Sequence, residues 1–317
     1  MARVEMIYGL DIGGTKIEIA VYDERYELQA SWRVDTPVDS YNTFLDTIVE
    51  MVVEADGRSK KVGTVGLGIP GYKGLDGRLV CSNIPCVNGK YLKQDLSQRL
   101  GRDVVIENDV MAFVYSESNG GVADGHENVL GVILGTGMSG ALCINGHVYH
   151  GRQNVAGEYG HVGLSGALLQ RYDFPKRACG CGSFGCVEKY LSGPGLLWMS
   201  SHFGAEYESV IDLVRGYQQK ERCAVVVFNA YLDCLGSYLS ELTKMFDPHV
   251  IVLGGGISNI GEIYDAIPSI MAKYVLVNTS PPKVVAAMYG DSSGVRGAAI
   301  LGQGVYATEQ PYSRVRA

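Results

Sequence analysis

A glycine turn between two apolar strands occurs twice in this chain, and the repeat constrains the fold more than any other feature. Met6-Ile7-Tyr8-Gly9-Leu10 is apolar, Asp11-Ile12-Gly13-Gly14-Thr15-Lys16 is a turn, and Ile17 to Tyr22 is again apolar and β-branched. The pattern returns with Val129 to Leu134, then Gly135-Thr136-Gly137, then a strand from Gly140 to Ile144. Val250 to Leu253 is a buried strand that runs into a third turn, Gly254-Gly255-Gly256. Glycines let backbone N–H groups approach an anion closely, and Thr15 and Lys16 add side-chain donors. A carboxylate at Asp11 would sit near a phosphate-bound Mg²⁺. Read singly, each turn is equally a plain hairpin. No Gly-x4-Gly-Lys-[Ser/Thr] occurs, and no Gly-x-Gly-x-x-Gly follows the first strand.

Between the repeats, residues from Tyr41 to Val52 recur at helical spacing, Val62 to Ile69 reads as a strand, and Val104 to Ile106 as another. Asn119 to Gly125 is the best linker. A long apolar stripe from Val225 to Leu242 reads as core, and Gly294 to about Thr308 as a Gly/Ala-rich helix. These boundaries predict a lobe over 1–120, completed by a helix at about 297–317, and a second lobe over 121–296 that carries a metal loop.

His161-x17-Cys179-x-Cys181-x4-Cys186 has the residue types of a Cys3His zinc site. Glycines 180, 182 and 185 permit the tight turns that gather three thiolates. The alternatives are a free-thiol loop or a disulfide. Four protein ligands fill the tetrahedron, so such a Zn²⁺ is structural and braces the loop Gly157-Glu158-Tyr159-Gly160-His161. Glu107-Asn108-Asp109 follows a strand and opens a helix. Asp109 is there either an N-cap or, beside phosphate-binding turns, the base for an acceptor hydroxyl. Glu188 reads equally as a cavity carboxylate and as an exposed helical residue.

The net charge of −7 argues against a nucleic-acid surface. No apolar run reaches the roughly 18 residues of a membrane span, and no export signal is visible, so a cytoplasmic protein with reduced thiols is expected.

These motifs together resemble the ROK family of sugar kinases, within the actin-like ATPase fold, an α/β architecture duplicated into two lobes with a central cleft. The resemblance covers nearly the whole chain and includes Gly68-Ile69-Pro70-Gly71 and Cys179-Gly180-Cys181-Gly182-Ser183-Phe184-Gly185-Cys186. It implies that Asp109 deprotonates a sugar 6-hydroxyl, with Asn108, Glu158, His161, Glu188 and, less strictly, Asn83 holding other hydroxyls. It implies ATP and Mg²⁺ at Gly9, Asp11, Gly13, Gly14, Thr15, Lys16, Gly135, Thr136, Gly137, Gly140, Gly254, Gly255 and Gly256. The zinc ligands it implies are His161, Cys179, Cys181 and Cys186. Thr36-Pro37-x-Asp39-Ser40-Tyr41, Asp173-Phe174-Pro175 and Tyr190-Leu191-Ser192-Gly193 are similar to members acting on N-acetylglucosamine. The alternatives are another hexose (glucose, N-acetylmannosamine, mannose or fructose) and, remotely, a sugar-responsive repressor. A homodimer fits the family. Two positions depart from it: Val110-Met111 stands where relatives carry Ala-Asn, and Met138-Ser139 where they carry more glycine.

Overall fold

A computed structural model describes residues 6–304 of the chain. Residues 1–5 and 305–317, including the far part of the expected last helix, lie outside the described residues. Two compact units are present: residues 6–116 with 150–155 and 292–304, and residues 117–149 with 156–291.

The first unit is built on a five-stranded sheet of β1 (Ile7–Ile12), β2 (Lys16–Tyr22), β3 (Leu28–Asp35), β4 (Thr64–Ile69) and β5 (Val104–Asn108), in the order β3-β2-β1-β4-β5. The hairpin pairs β1–β2 and β2–β3 are antiparallel, whereas β1–β4 and β4–β5 are parallel. Ile7, Tyr8, Leu10 and Ile12 of the central strand are fully buried, as expected for a strand covered on both faces. Parallel neighbours need crossovers, which helices α1 (Tyr41–Ser59) and α2 (Leu92–Leu100) supply. Ser40 caps α1 by accepting from Thr43 N, and Phe44, Leu45, Ile48, Met51, Val52 and Ala55 form its buried stripe.

Gly9 and Gly66 are register partners on β1 and β4, and helix Ser293–Gly302 lies against both strands. A Cβ on Gly9 would stand 1.9 Å from Val295 O, and one on Gly66 1.8 Å from Ala298 O. The paired glycines let a helix backbone touch a sheet backbone. This corrects the nucleotide-binding expectation for Gly9, which is a packing residue in mid-strand. Gly66→Ala is therefore expected to destabilise the fold by about 3 kcal/mol or more, read as a lower urea midpoint at an unchanged m-value. Gly57→Ala, inside α1 with open space around the new methyl, is expected to stabilise by about 0.5 kcal/mol.

The second unit has β6 (Asn128–Leu134), β7 (Met138–Ile144), β8 (His147–Val148), β9 (Val250–Gly254) and β10 (Lys283–Ala286), in the order β8-β7-β6-β9-β10. Pair directions repeat those of the first sheet strand for strand. The repeat read from the glycine turns is thus a duplication of a whole sheet. Helix α3 (Asp109–Ser118) follows β5, and the longest helix of the second unit is α4 (Arg222–Phe246). By length and composition α4 is apolar enough to cross a membrane, contrary to the expectation that no such stretch occurs. However, 72% of its most apolar window is buried, with Phe228, Tyr231, Leu235 and Leu239 at the centre of the core.

The observed boundaries differ from the predicted ones in three places. Residues 150–155 join the first unit, because His150 Nε2 meets Glu107 Oε2 at 2.6 Å and Asn154 Nδ2 donates to Lys73 O. Residues 292–296 join it as well, with Val295 packing on Ile7, Ala20 and Tyr22. Residues 117–120 join the second unit, and Asn119–Gly125 is no loose linker. The fully buried Glu117 accepts from Val122 N at 3.1 Å and from Met288 N and Tyr289 N at 3.0 and 3.2 Å.

Candidate functional site

In the first unit the glycine turn joins β1 to β2 and is closed by Gly13 N donating to Lys16 O at 2.9 Å. That amide is committed to the hairpin, so it is not a phosphate donor. Thr36 ties the turn down by donating its Oγ1 to Gly13 O at 2.7 Å and its N to Thr15 O. The Lys16 ammonium pairs with Asp35, its register partner on β3, and both are well exposed. Such a surface pair is worth under about 1 kcal/mol, so it is easily exchanged for an anion. The Asp11 carboxylate stands over the first turn of helix Ser293–Gly302, where a Cβ on Gly294 would be 3.1 Å from its Oδ2. A helix N-terminus favours a carboxylate there. Asn83 is exposed and borders the same turn, its carbonyl oxygen 3.1 Å from a Cβ placed on Gly14.

Asp109 begins α3 at the end of β5. The cap is Asn108, not Asp109: its Oδ1 accepts from Val110 N and Met111 N at 3.0 and 3.2 Å. Its Nδ2 donates to Gly71 O at 2.9 Å. Asp109 is thus the first residue of the helix, and its Oδ1 accepts from the adjacent Val110 N. The Asn before a helical run was a readable cap signal that the Asn-Asp pair left ambiguous. Met111, where an amide was expected, is 3% exposed and packs into a cavity of about 320 Å³ lined also by Ile69, Leu79, Ile106 and Asn108. The loss of that amide is filled by apolar packing.

In the second unit, Gly135 N donates to Gly137 O at 3.0 Å, and Gly193 N to Gly135 O at 2.8 Å. Like Gly13, the Gly135 amide is therefore committed to its own turn. Glu188 opens a short helix and is half-buried, which excludes the exposed reading. Its Oε2 accepts from Met138 N at 3.2 Å, and a Cβ on Gly137 would lie 2.9 Å from the same oxygen. Glu188 is thereby a fastening of the second turn. Gly140 lies within β7, where a Cβ would strike Gly131 O at 2.6 Å and the Tyr159 ring at 2.7 Å. It is a packing residue, which corrects its nucleotide-binding expectation. Gly255 has φ 79° and passes 2.6 Å, by its virtual Cβ, from Leu134 O, while Gly256 faces open space. Gly254 is the buried end of β9.

The loop before His161 is pressed onto β7. Gly157, at φ 112°, and Gly160 would place a Cβ at 2.0 Å from Gly140 O and 1.9 Å from Met138 O. Gly140 N donates to Gly157 O, and Tyr238 Oη to Tyr159 O. His161 Nδ1 lies 3.5 Å from Cys179 Sγ, and Cys181 Sγ 3.6 Å from Cys186 Sγ. The four ligand atoms all fall within 4.8 Å of one another. A tetrahedral ion with bonds of about 2.0–2.3 Å needs ligand separations of about 3.5–3.8 Å, so the donor set fits. A disulfide does not, since it needs sulfurs at about 2.05 Å and all eight cysteines are free. Burial pushes the Cys186 thiol up to about 12, with the neighbouring thiols adding to it. A cation relieves that crowding. Gly182 and Gly185 have φ of 89° and 77° and permit the turns, while Gly180 does not need its freedom. The imidazole's other edge faces Glu158, with Nε2 to Oε2 at 3.7 Å. Beneath the loop, Phe174 stacks on Tyr190, whose hydroxyl donates to Pro175 O.

The sequence pattern of the ROK family matches residues 7–305, and the chain belongs to that family. It is 43% identical over 301 residues to an N-acetyl-D-glucosamine kinase of Pectobacterium atrosepticum, covering 93% of this chain and 98% of that one. An N-acetylgalactosamine kinase of a Shewanella species is 41% identical over 300 residues, covering 95% and 97%. Among solved structures, a ROK family glucokinase of Streptomyces griseus in complex with glucose and AMPPNP superposes with a TM-score of 0.76 at 28% identity, covering 94% and 99%. The fold is the duplicated actin-like ATPase fold that the family resemblance implied.

Proposed function

We propose that the chain is an ATP-dependent kinase of the 6-hydroxyl of N-acetylglucosamine, working in the cytoplasm with Asp109 as base. The observation that carries this is local. Asn108 takes over the capping of α3, which relieves Asp109 of that duty in a chain 43% identical to a kinase named for this sugar. Asp109 takes the proton of the hydroxyl as its oxygen attacks the γ-phosphorus of ATP. ATP with Mg²⁺ supplies the phosphoryl group and spreads its charge. Asp11, Gly14, Thr15, Lys16, Gly137 and the turn 254–256 are assigned to the nucleotide, together with Thr136. Asn83, Asn108, Glu158, His161 and Glu188 are assigned to the sugar. His161, Cys179, Cys181 and Cys186 are the residues that would hold Zn²⁺, which supplies a fixed cross-link and leaves the imidazole Nε2 edge for substrate.

The test is ADP release over a panel of N-acetylglucosamine, N-acetylgalactosamine, N-acetylmannosamine, glucose, mannose and fructose. N-acetylglucosamine is expected to give the highest kcat/KM. The relative named for N-acetylgalactosamine makes the C4 epimer the second reading, and a higher kcat/KM for that sugar, or for glucose, would replace the first.

A further inference from the structure

We infer that the cavity beside Asn108 receives the 2-acylamino group of the sugar, and that Met111 sets a preference for N-acylated over plain hexoses. This rests on the sugar-kinase reading above. The cavity, about 320 Å³, is lined entirely by residues of the first unit. It lies at the carboxyl ends of the parallel strands β4 and β5, marked by Ile69 and Asn108, which is where open α/β sheets take ligands.

An acetamido group has an apolar methyl and a polar amide, and the cavity has both halves. Ile69, Leu79 and Met111 are at most 7% exposed and, with Ile106, make an apolar floor. Asn108, next to the base in sequence, lines the same space. One Nδ2 hydrogen goes to Gly71 O, and the amide carries a second to give to an acyl carbonyl. Tyr72 and the Glu107–His150 pair complete a polar rim. A hexose with only a 2-hydroxyl would leave the floor uncovered, and Met111 offers that hydroxyl no hydrogen bond. The two relatives described above, at 43% and 41% identity, are both named for 2-acetamido sugars that differ at C4, so the acetamido group is what they share.

The test uses the full chain with its metal and the substrates glucose and N-acetyl-, N-propanoyl- and N-butanoylglucosamine. The space predicts that N-propanoylglucosamine keeps kcat/KM within about fivefold of the acetyl compound, with glucose lower by about 100-fold. Met111→Asn is expected to shrink the N-acetylglucosamine-to-glucose ratio by about tenfold or more. A loss of about 100-fold on adding one methylene to the acyl chain overturns the inference without relying on any variant. An equal fall on both sugars in the Met111→Asn protein overturns it too, since that marks a structural role. If the wild-type chain phosphorylates N-acetylglucosamine but the ratio does not move, only the pocket assignment falls. If it phosphorylates none of these sugars, the kinase reading falls and takes the pocket with it.

Discussion

Asp109→Asn is expected to lower kcat by about 10³-fold while the dissociation constant for N-acetylglucosamine stays within about threefold. The substitution is nearly isosteric and removes the basicity that accepts the hydroxyl proton. Its structural cost is small for a specific reason. Asn108, not Asp109, supplies the oxygen that accepts from Val110 N and Met111 N, so the helix keeps its cap. The hydrogen bond that Val110 N donates to Asp109 Oδ1 can be accepted equally by an amide oxygen. Steady-state ADP release gives kcat, and calorimetric titration of sugar gives affinity. A variant that binds sugar and turns over at a near-normal rate would sink the base assignment. Asn108→Ala is the contrasting case. It removes the cap and the bond to Gly71 O, so it is expected to lose about 1–2 kcal/mol of stability, a signature that Asp109→Asn should lack.

That contrast also marks where the sequence stopped being readable. The glycine turns, the cysteine spacing and the β-branched strands are signals carried by neighbouring residues, and each lies where the sequence places it. The whole-sheet duplication followed from them, because a strand–turn–strand unit with a later parallel strand has few ways to pair. What stayed hidden depends on partners far along the chain. Gly9 reads as part of a phosphate turn until Val295 arrives over it from the other end of the sequence. Lys16 reads as an unpaired phosphate donor until β3 brings Asp35 beside it as the partner an anion would displace. The segment 150–155 reads as part of the second unit, since the contacts that tie it to the first, His150 to Glu107 and Asn154 to Lys73, come from partners far along the chain. The choice between Asn108 and Asp109 as cap turns on side-chain geometry that the pair's composition leaves degenerate.

Loss of the proposed zinc is expected to be the most damaging change of all, abolishing turnover and lowering Tm by about 10 °C or more. The magnitude follows from how little else holds the loop. Cys181 is exposed, and the thiol segment is held by a few backbone bonds, Cys179 N to Ser183 O and Gly185 N to Arg177 O within it, and Leu164 N to Gly185 O and Val187 N to Val162 O to the loop that carries His161. A structural zinc contributes folding free energy directly. If even about 4 kcal/mol of it stabilises this unit, Tm falls by about 8–16 °C for a unit of this size. The damage then travels along contacts already described. His161 anchors the loop pressed onto β7, Cys179 Sγ lies 3.9 Å from Glu188 Oε1, and Glu188 fastens Met138 N beside the second glycine turn. A single ion at these ligands would therefore brace Glu158, His161 and the turn 135–137 of the same unit. Metal analysis of the purified chain should find one zinc per chain, and Cys186→Ser should lose both the zinc and the thermal stability. A chain that holds no stoichiometric zinc yet melts and turns over like the wild type would show that the four ligands, despite their tetrahedral spacing, are a cluster of plain thiols and an imidazole.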